Sequence, residues 1–140
     1  FLRLLFPAAP IIHCSREPRA LAWSLYTANF AAHEPWVHDL AAMPAVFRRH
    51  HRLQAHWREV LPGPRADIAY EALVRNPEQE IPALLAACGI PFDPATLHPE
   101  QNDRPVFTAS HGQVRRPIYS DAIERWRPYA DALAHLAGAD

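Results

Sequence analysis

The sequence has no lysine, few glycines and few cysteines. All 14 basic residues are arginine, and only 4 glycines and 2 cysteines occur among 140 residues. Acidic and basic residues nearly cancel, leaving a formal net charge of −1, so the chain as a whole lacks the positive charge with which proteins bind nucleic acid or anionic membranes. No apolar run approaches the roughly 20 residues that a membrane-spanning helix needs, which excludes a membrane segment in this chain.

The cysteines and histidines are spaced unlike those of metal sites. Cys14 and Cys88 form no CxxC pair and lie in apolar surroundings, so we expect two buried, reduced thiols and no disulfide. The histidines at positions 50, 51 and 56 include no pair four residues apart, which favours solvated helix histidines over a metal site. The exclusive use of arginine fits a genomic composition bias, and it also suits bidentate recognition of anions.

Proline, with 15 residues, marks most boundaries between the predicted elements. Ile11–Ser15 is a short apolar run that predicts a buried strand, and Pro18 suits the first turn of a helix that continues to Phe30. The spacing of side chains predicts an apolar face on this helix, made of Leu21, Ala22, Leu25, Tyr26 and Phe30. Ser24 lies on the opposite strip with Ala20, Thr27 and Ala28, where small side chains leave room for a ligand.

The remaining pattern predicts a second strand between helices. Apolar residues three or four apart indicate a long helical stretch from Met43 to Leu61, which Pro44 divides into a short and a long piece. Residues 66–70 predict the second strand, and residues 76–79 form a capping box before a helix that ends at Gly89. Residues 90–119 are expected to be largely irregular, with one helical turn after Asp93-Pro94 and a terminal helical segment after Ser120.

These elements predict one α/β domain over residues 1–140. Two strands are too few for an independent sheet, and the N-terminal segment FLRLLFPAAPIIH has neither an initiator Met nor a basic leader. We therefore expect the chain to be the later part of a longer fold. The composition favours a cytoplasmic location and leaves homo-oligomerisation open.

Arg16 and Ser24 are the first residues whose positions suggest chemistry. Ligands of open α/β sheets bind beyond the carboxyl ends of the strands, and Arg16 follows a predicted strand. A guanidinium there can donate two hydrogen bonds to a phosphate, and the hydroxyl of Ser24 can add another. A purely structural interpretation is that Arg16 pairs with Glu17 and Ser24 is a tolerated helix serine.

Four segments, in order, resemble sulfotransferases that use 3′-phosphoadenosine-5′-phosphosulfate (PAPS). IIHCSREPRALAWSLY resembles the family's 3′-phosphate-binding segment, and AYEALVRNPEQEIPALLAACGIPFD resembles its Tyr-Glu-x-Leu element and the helix that follows. TASHGQVRRPIY and ERWRPYADAL are similar to the nucleotide-covering loop and terminal Trp element of tyrosylprotein sulfotransferases and their bacterial relatives. The resemblance covers residues 6–136 and implies a P-loop-like α/β fold with a parallel sheet, of which this chain is the helix-rich C-terminal portion.

The resemblance also implies roles for individual residues. Arg16 and Ser24 would bind the 3′-phosphate, Tyr70 would lie beside the adenosine, and Arg125 would contact the cofactor. Residues 110–119 would close over the nucleotide, with donors on Ser110, Gln113, Arg115 and Arg116. Each also has a structural interpretation: Tyr70 as a core tyrosine, Arg115 and Arg116 as solvated surface. Ala28 stands where some relatives carry a further arginine, which puts one phosphate contact in doubt.

The resemblance implies sulfuryl transfer from PAPS to a hydroxyl acceptor, which could be a protein tyrosine, a carbohydrate or a small molecule, without a metal. This sequence contains no GxxxxGK[ST] loop to hold the phosphosulfate and no residue that can be named as the general base, so we do not expect this chain alone to turn over. Two alternatives stay open: a non-catalytic nucleotide- or protein-binding module, and another P-loop enzyme such as a small-molecule kinase. The lack of lysine speaks against a kinase.

Overall fold

The computed structural model describes residues 1–28, 34–102, 105 and 115–139. Its helices and strands are α1 (Leu2–Leu5), β1 (Ile11–Ser15), α2 (Pro18–Thr27), α3 (Met43–Val60), β2 (Arg65–Ala69), α4 (Tyr70–Arg75), α5 (Pro77–Ala87) and α6 (Asp121–Glu124). Short 3₁₀ helices cover Pro35–His38, Pro94–Leu97, Pro99–Gln101, Arg127–Tyr129 and Ala134–Leu136. Within the described ranges, no helix is both long and apolar enough to cross a membrane.

β1 and β2 pair in parallel, with Ile11 opposite Arg65 and Ser15 opposite Ala69. This parallel pairing confirms the predicted α/β class. Parallel strands need a crossover connection, and here the crossover contains α2 and α3. The strand predicted over Ile11–Ser15 is confirmed at both ends. The second strand lies one residue earlier than predicted, because Tyr70 already begins α4.

The described chain divides into two compact units. The first consists of Phe1–Ser15 and Gly63–Ser120, and it contains the sheet with α5 packed against β2. The second consists of Arg16–Pro62 and Asp121–Asp140. In the second unit a core forms from four residues that are completely buried: Ala22, Met43, Leu133 and Leu136.

Two local predictions about helix ends were wrong. Pro44 does not divide the long helix but lies in its first turn, where its missing N–H costs no intrahelical hydrogen bond. Asn76 precedes α5 as expected, yet its side chain makes no capping hydrogen bond, so the predicted capping box is not formed. The helical turn after Asp93 is confirmed, since the Asp93 carboxylate accepts a hydrogen bond from the amide of Ala95 at 2.9 Å.

Candidate functional site

Arg16 directly follows β1, and its guanidinium is oriented by the backbone of α6. Its Nη2 donates to the Ala122 carbonyl at 2.8 Å, in a partly buried hydrogen bond between residues 106 positions apart. Both residues belong to the second unit. A guanidinium carries several N–H donors in one plane, so this bond fixes the direction of the others. The bond also places Arg16 beside the helix that ends one residue before Arg125.

Glu17 occupies the N-terminus of α2. One carboxylate oxygen accepts a hydrogen bond from the amide of Ala20 at 2.7 Å, and the other accepts from Nε of Arg19 at 2.5 Å. A carboxylate in this place satisfies one of the unpaired helix N–H groups and interacts favourably with the helix dipole. The sequence analysis named Glu17 only as a possible partner of Arg16. Its role as a helix cap was not predicted, because glutamate is not among the residues that usually cap helices.

The guanidinium of Arg19 also stacks on Trp126, with its central carbon 4.0 Å from the ring centroid. Trp23 of α2 stacks on Tyr129 with ring centroids 3.9 Å apart. These two contacts join α2 to residues 126–129 within the second unit, and they give Trp126 the packing role that its residue type suggests. Neither contact is visible as a motif, since more than 100 residues separate the partners in the sequence.

Ser24 lies at the end of the second turn of α2 and is half-buried. The predicted faces of this helix were partly wrong: Ala20, assigned to the open strip, is buried, whereas Tyr26, assigned to the apolar face, is 41% exposed. Ala22 is buried as predicted. Ala20 is buried because the N-terminus of α2 is enclosed by its own cap and by α6, a long-range contact that periodicity cannot reveal.

Arg125 is exposed and lies between α6 and the 3₁₀ helix Arg127–Tyr129. Its neighbour Arg127 pairs with Glu124 one turn earlier. The second unit therefore contains Arg16, Ser24 and Arg125 from the set that the sequence singled out.

The first unit contains Tyr70, Arg115 and Arg116. Tyr70 follows β2 directly and is the first residue of α4. Nη1 of Arg115 donates to the Asn102 carbonyl at 2.5 Å, and the guanidinium of Arg116 lies 4.3 Å from the ring centroid of Tyr119. Ser110 and Gln113 lie outside the described residues.

The sheet adds a pair that sequence reasoning did not identify. Nδ1 of His13 lies 3.3 Å from a carboxylate oxygen of Asp67, its register partner on the neighbouring strand. Pairing register is a tertiary property, so neither residue could be linked to the other from the sequence. On the same strand, Cys14 is exposed, which corrects the expectation of a buried thiol, and neither Cys14 nor Cys88 forms a disulfide.

Comparison with known proteins identifies the family. The protein-family model described as "Sulfotransferase family" matches residues 1–94, which is the greater part of the chain. The chain belongs to the sulfotransferase family. The sulfotransferase match contains β1, α2 and β2, and with them Arg16, Ser24 and Tyr70, whereas residues 110–125 follow its end.

A relative from Aquifex aeolicus (strain VF5), named "Uncharacterized protein", is 36% identical over 133 residues. The alignment covers 93% of this sulfotransferase-family chain but only 18% of the relative. The similarity therefore extends through the C-terminal segment, to the region of α6 and Arg125. The chain corresponds to less than a fifth of the relative's length.

Proposed function

We propose that this chain forms the 3′-phosphoadenosine-binding part of a PAPS-dependent sulfotransferase that acts on a hydroxyl acceptor. The observation that carries the proposal is the position of Arg16, which follows a parallel strand and precedes α2 within the segment that matches the sulfotransferase family. In this proposal Arg16 and Ser24 bind the 3′-phosphate. Tyr70 contacts the adenosine, and the donors on Ser110, Gln113, Arg115, Arg116 and Arg125 bind the remaining nucleotide oxygens.

The donor chemistry in the second unit fits a phosphate dianion. The bond from Nη2 to the Ala122 carbonyl holds the Arg16 guanidinium in one orientation, which reduces the rotamer entropy lost when an anion binds. The Glu17 carboxylate already accepts from the Ala20 amide at the start of α2. We therefore assign recognition of the 3′-phosphate to the side chains of Arg16 and Ser24 and not to the Ala20 amide.

The bound cofactor supplies the sulfuryl group and its leaving group, the 5′-phosphate. Transfer breaks the bond between sulfur and the bridging oxygen, forms a bond from sulfur to the acceptor oxygen, and moves the hydroxyl proton to a general base. By analogy with phosphoryl transfer, positioning and charge stabilisation provide most of the rate enhancement. The residues named here contribute to positioning, by holding the nucleotide at its 3′ end.

Calorimetric titration with 3′-phosphoadenosine-5′-phosphate tests the proposal, with AMP as the matched nucleotide that lacks only the 3′-phosphate. Arg16→Ala should weaken binding about tenfold or more, since a hydrogen bond to a charged group contributes about 1.5–3 kcal/mol. Ser24→Ala should weaken binding less, since its hydroxyl is neutral. Arg127→Ala removes an exposed guanidinium of the same unit and should leave the affinity unchanged.

Arg16→Ala also removes the hydrogen bond to Ala122, so thermal unfolding of each variant is measured beside the titration. Ser24→Ala removes only a hydroxyl and serves as the second test where Arg16→Ala unfolds. Equal affinity for the two nucleotides, or a loss in Arg127→Ala as large as in Arg16→Ala, would contradict the assignment. A preference for ATP with Mg²⁺ would instead indicate a kinase, and a folded chain that binds no nucleotide would favour a protein-binding module.

A further inference from the structure

The second half of α3 presents an exposed apolar stripe. Leu53, Trp57 and Val60 are 45%, 41% and 48% exposed. Their spacing of four and three residues places them on one side of the helix. At the other end of α3, Met43 is completely buried in the core of the second unit. The apolar side of the helix therefore begins in that core and continues into solvent for about two turns.

The same helix concentrates positive charge. It carries four arginines against a single acidic residue, Glu59, which gives it a formal charge of +3 within a chain whose net charge is −1. The rest of the chain must then carry −4. The near-neutral total thus conceals a basic helix, whose arginines are all exposed: Arg48, Arg49, Arg52 and Arg58.

Arginines lie on both sides of the apolar stripe. Viewed down the helix axis, with 100° between successive residues, Arg49 lies next to Val60 and Leu53 on one side of the stripe. On the other side, His50 and Gln54 come after Trp57, and Arg58 comes after them. A helix with a basic polar side and a stripe of Trp, Leu and Val is the type that lies in the plane of a membrane interface. Trp suits that position, because its ring is apolar and its indole N–H can remain hydrated.

We propose that the second half of α3 lies on an anionic membrane surface, with Leu53, Trp57 and Val60 inserted between the headgroups. Arg49 and Arg58 have stems long enough to reach the phosphate groups on either side. A second copy of this chain is a poor occupant, because pairing two such helices would bring like charges together. To pair with the arginines, an acidic polypeptide would have to place carboxylates on both sides of the apolar stripe. An anionic bilayer offers negative charge on every side.

Flotation of the full 140-residue chain with lipid vesicles tests this proposal. The chain should bind vesicles of phosphatidylcholine and phosphatidylglycerol in equal parts and should not bind vesicles of phosphatidylcholine alone. Leu53→Ser should lower partitioning about tenfold, since about half of a leucine side chain remains to be buried. Arg49→Gln should lower it about fivefold, since one arginine near an anionic surface contributes about that factor. High salt should weaken binding.

Phe92→Ser is the matched control, because Phe92 is 44% exposed and lies outside α3. It should bind the vesicles like the unaltered chain. Failure to bind the mixed vesicles, equal binding to both kinds of vesicle, or a loss in Phe92→Ser as large as in Leu53→Ser would overturn the proposal. Binding to poly-glutamate in place of vesicles would also overturn it, and would assign the helix to an acidic polypeptide partner.

Discussion

Gly63 turns the chain between α3 and β2, and an alanine at this position has no room for its methyl group. Gly63 has φ of +102°, and a Cβ built on it would lie 2.8 Å from Nη1 of Arg3. That nitrogen cannot move away without loss, because it donates to the carbonyls of Pro7 at 3.0 Å and Ala9 at 2.7 Å. Nη2 of the same guanidinium donates to the Pro64 carbonyl at 3.2 Å, next to the start of β2.

Gly63→Ala should therefore lower the free energy of unfolding by about 3 kcal/mol. Positive φ in a residue other than glycine costs about 1–3 kcal/mol, and loss of one hydrogen bond from a charged donor costs about 1.5–3 kcal/mol. Gly89→Ala is the matched control, since Gly89 has φ of +69° and open space around its Cβ position. That control should lose about 1 kcal/mol, which is the backbone contribution alone.

Urea unfolding followed by far-ultraviolet circular dichroism measures both variants. Tryptophan fluorescence would report on the other unit, because all four tryptophans lie in the second unit and Gly63 lies in the first. In an Arg3→Ala background the clash with the guanidinium is gone, so Gly63→Ala should cost less there than it does in the unaltered chain. Equal losses in Gly63→Ala and Gly89→Ala, with Arg3 present, would refute the close approach as the cause.

Three further substitutions test the packing of the second unit by thermal unfolding, read from tryptophan fluorescence. Glu17→Ala should lower the free energy of unfolding by about 1 kcal/mol through loss of the N-terminal cap of α2. Glu17→Gln can still accept that hydrogen bond and should cost less, and the reverse order would argue against capping. Leu133→Ala should cost about 2–5 kcal/mol because Leu133 is completely buried, whereas Leu53→Ala, on the exposed stripe, should change stability by about 0.5 kcal/mol or less. Trp126→Leu should cost about 0.5–1 kcal/mol beyond the loss of apolar area, through its contact with Arg19, and Arg19→Met should remove that excess.

The strand Ile11–Ser15 and the C-terminal end of α5 at Gly89 could be predicted because short-range signals decide them. A run of apolar residues bounded by Pro10 and Arg16 has few other conformations to adopt, and Gly89 has the positive φ that ends a helix. α4 was missed because its six residues are too few for a helical period to emerge. Pro44 was misplaced because a proline that divides a helix and one that begins a helix look alike until the preceding turn is known.

The candidate site was likewise only partly predictable from the sequence. Arg16 and Ser24 could be selected from their positions after a predicted strand and on the following helix. The Ala122 carbonyl that orients Arg16, and the Trp126 ring on which Arg19 stacks, could not be selected, because both lie more than 100 residues away. The basic character of α3 was hidden for a different reason: summing charges over the whole chain cancels a local excess of one sign.

The amino-acid sequence was enough to predict the α/β class, the position of β1, the approximate extents of α2 and α3, and the resemblance to sulfotransferases that the family match confirms. Each of these depends on residues close together in the chain. Four features became visible only in the folded chain: the pairing of His13 with Asp67, the burial of Ala20, the close approach of Arg3 to Gly63 and the exposure of Leu53, Trp57 and Val60. Those features depend on which distant segments fold against each other, and side-chain periodicity carries no information about that choice.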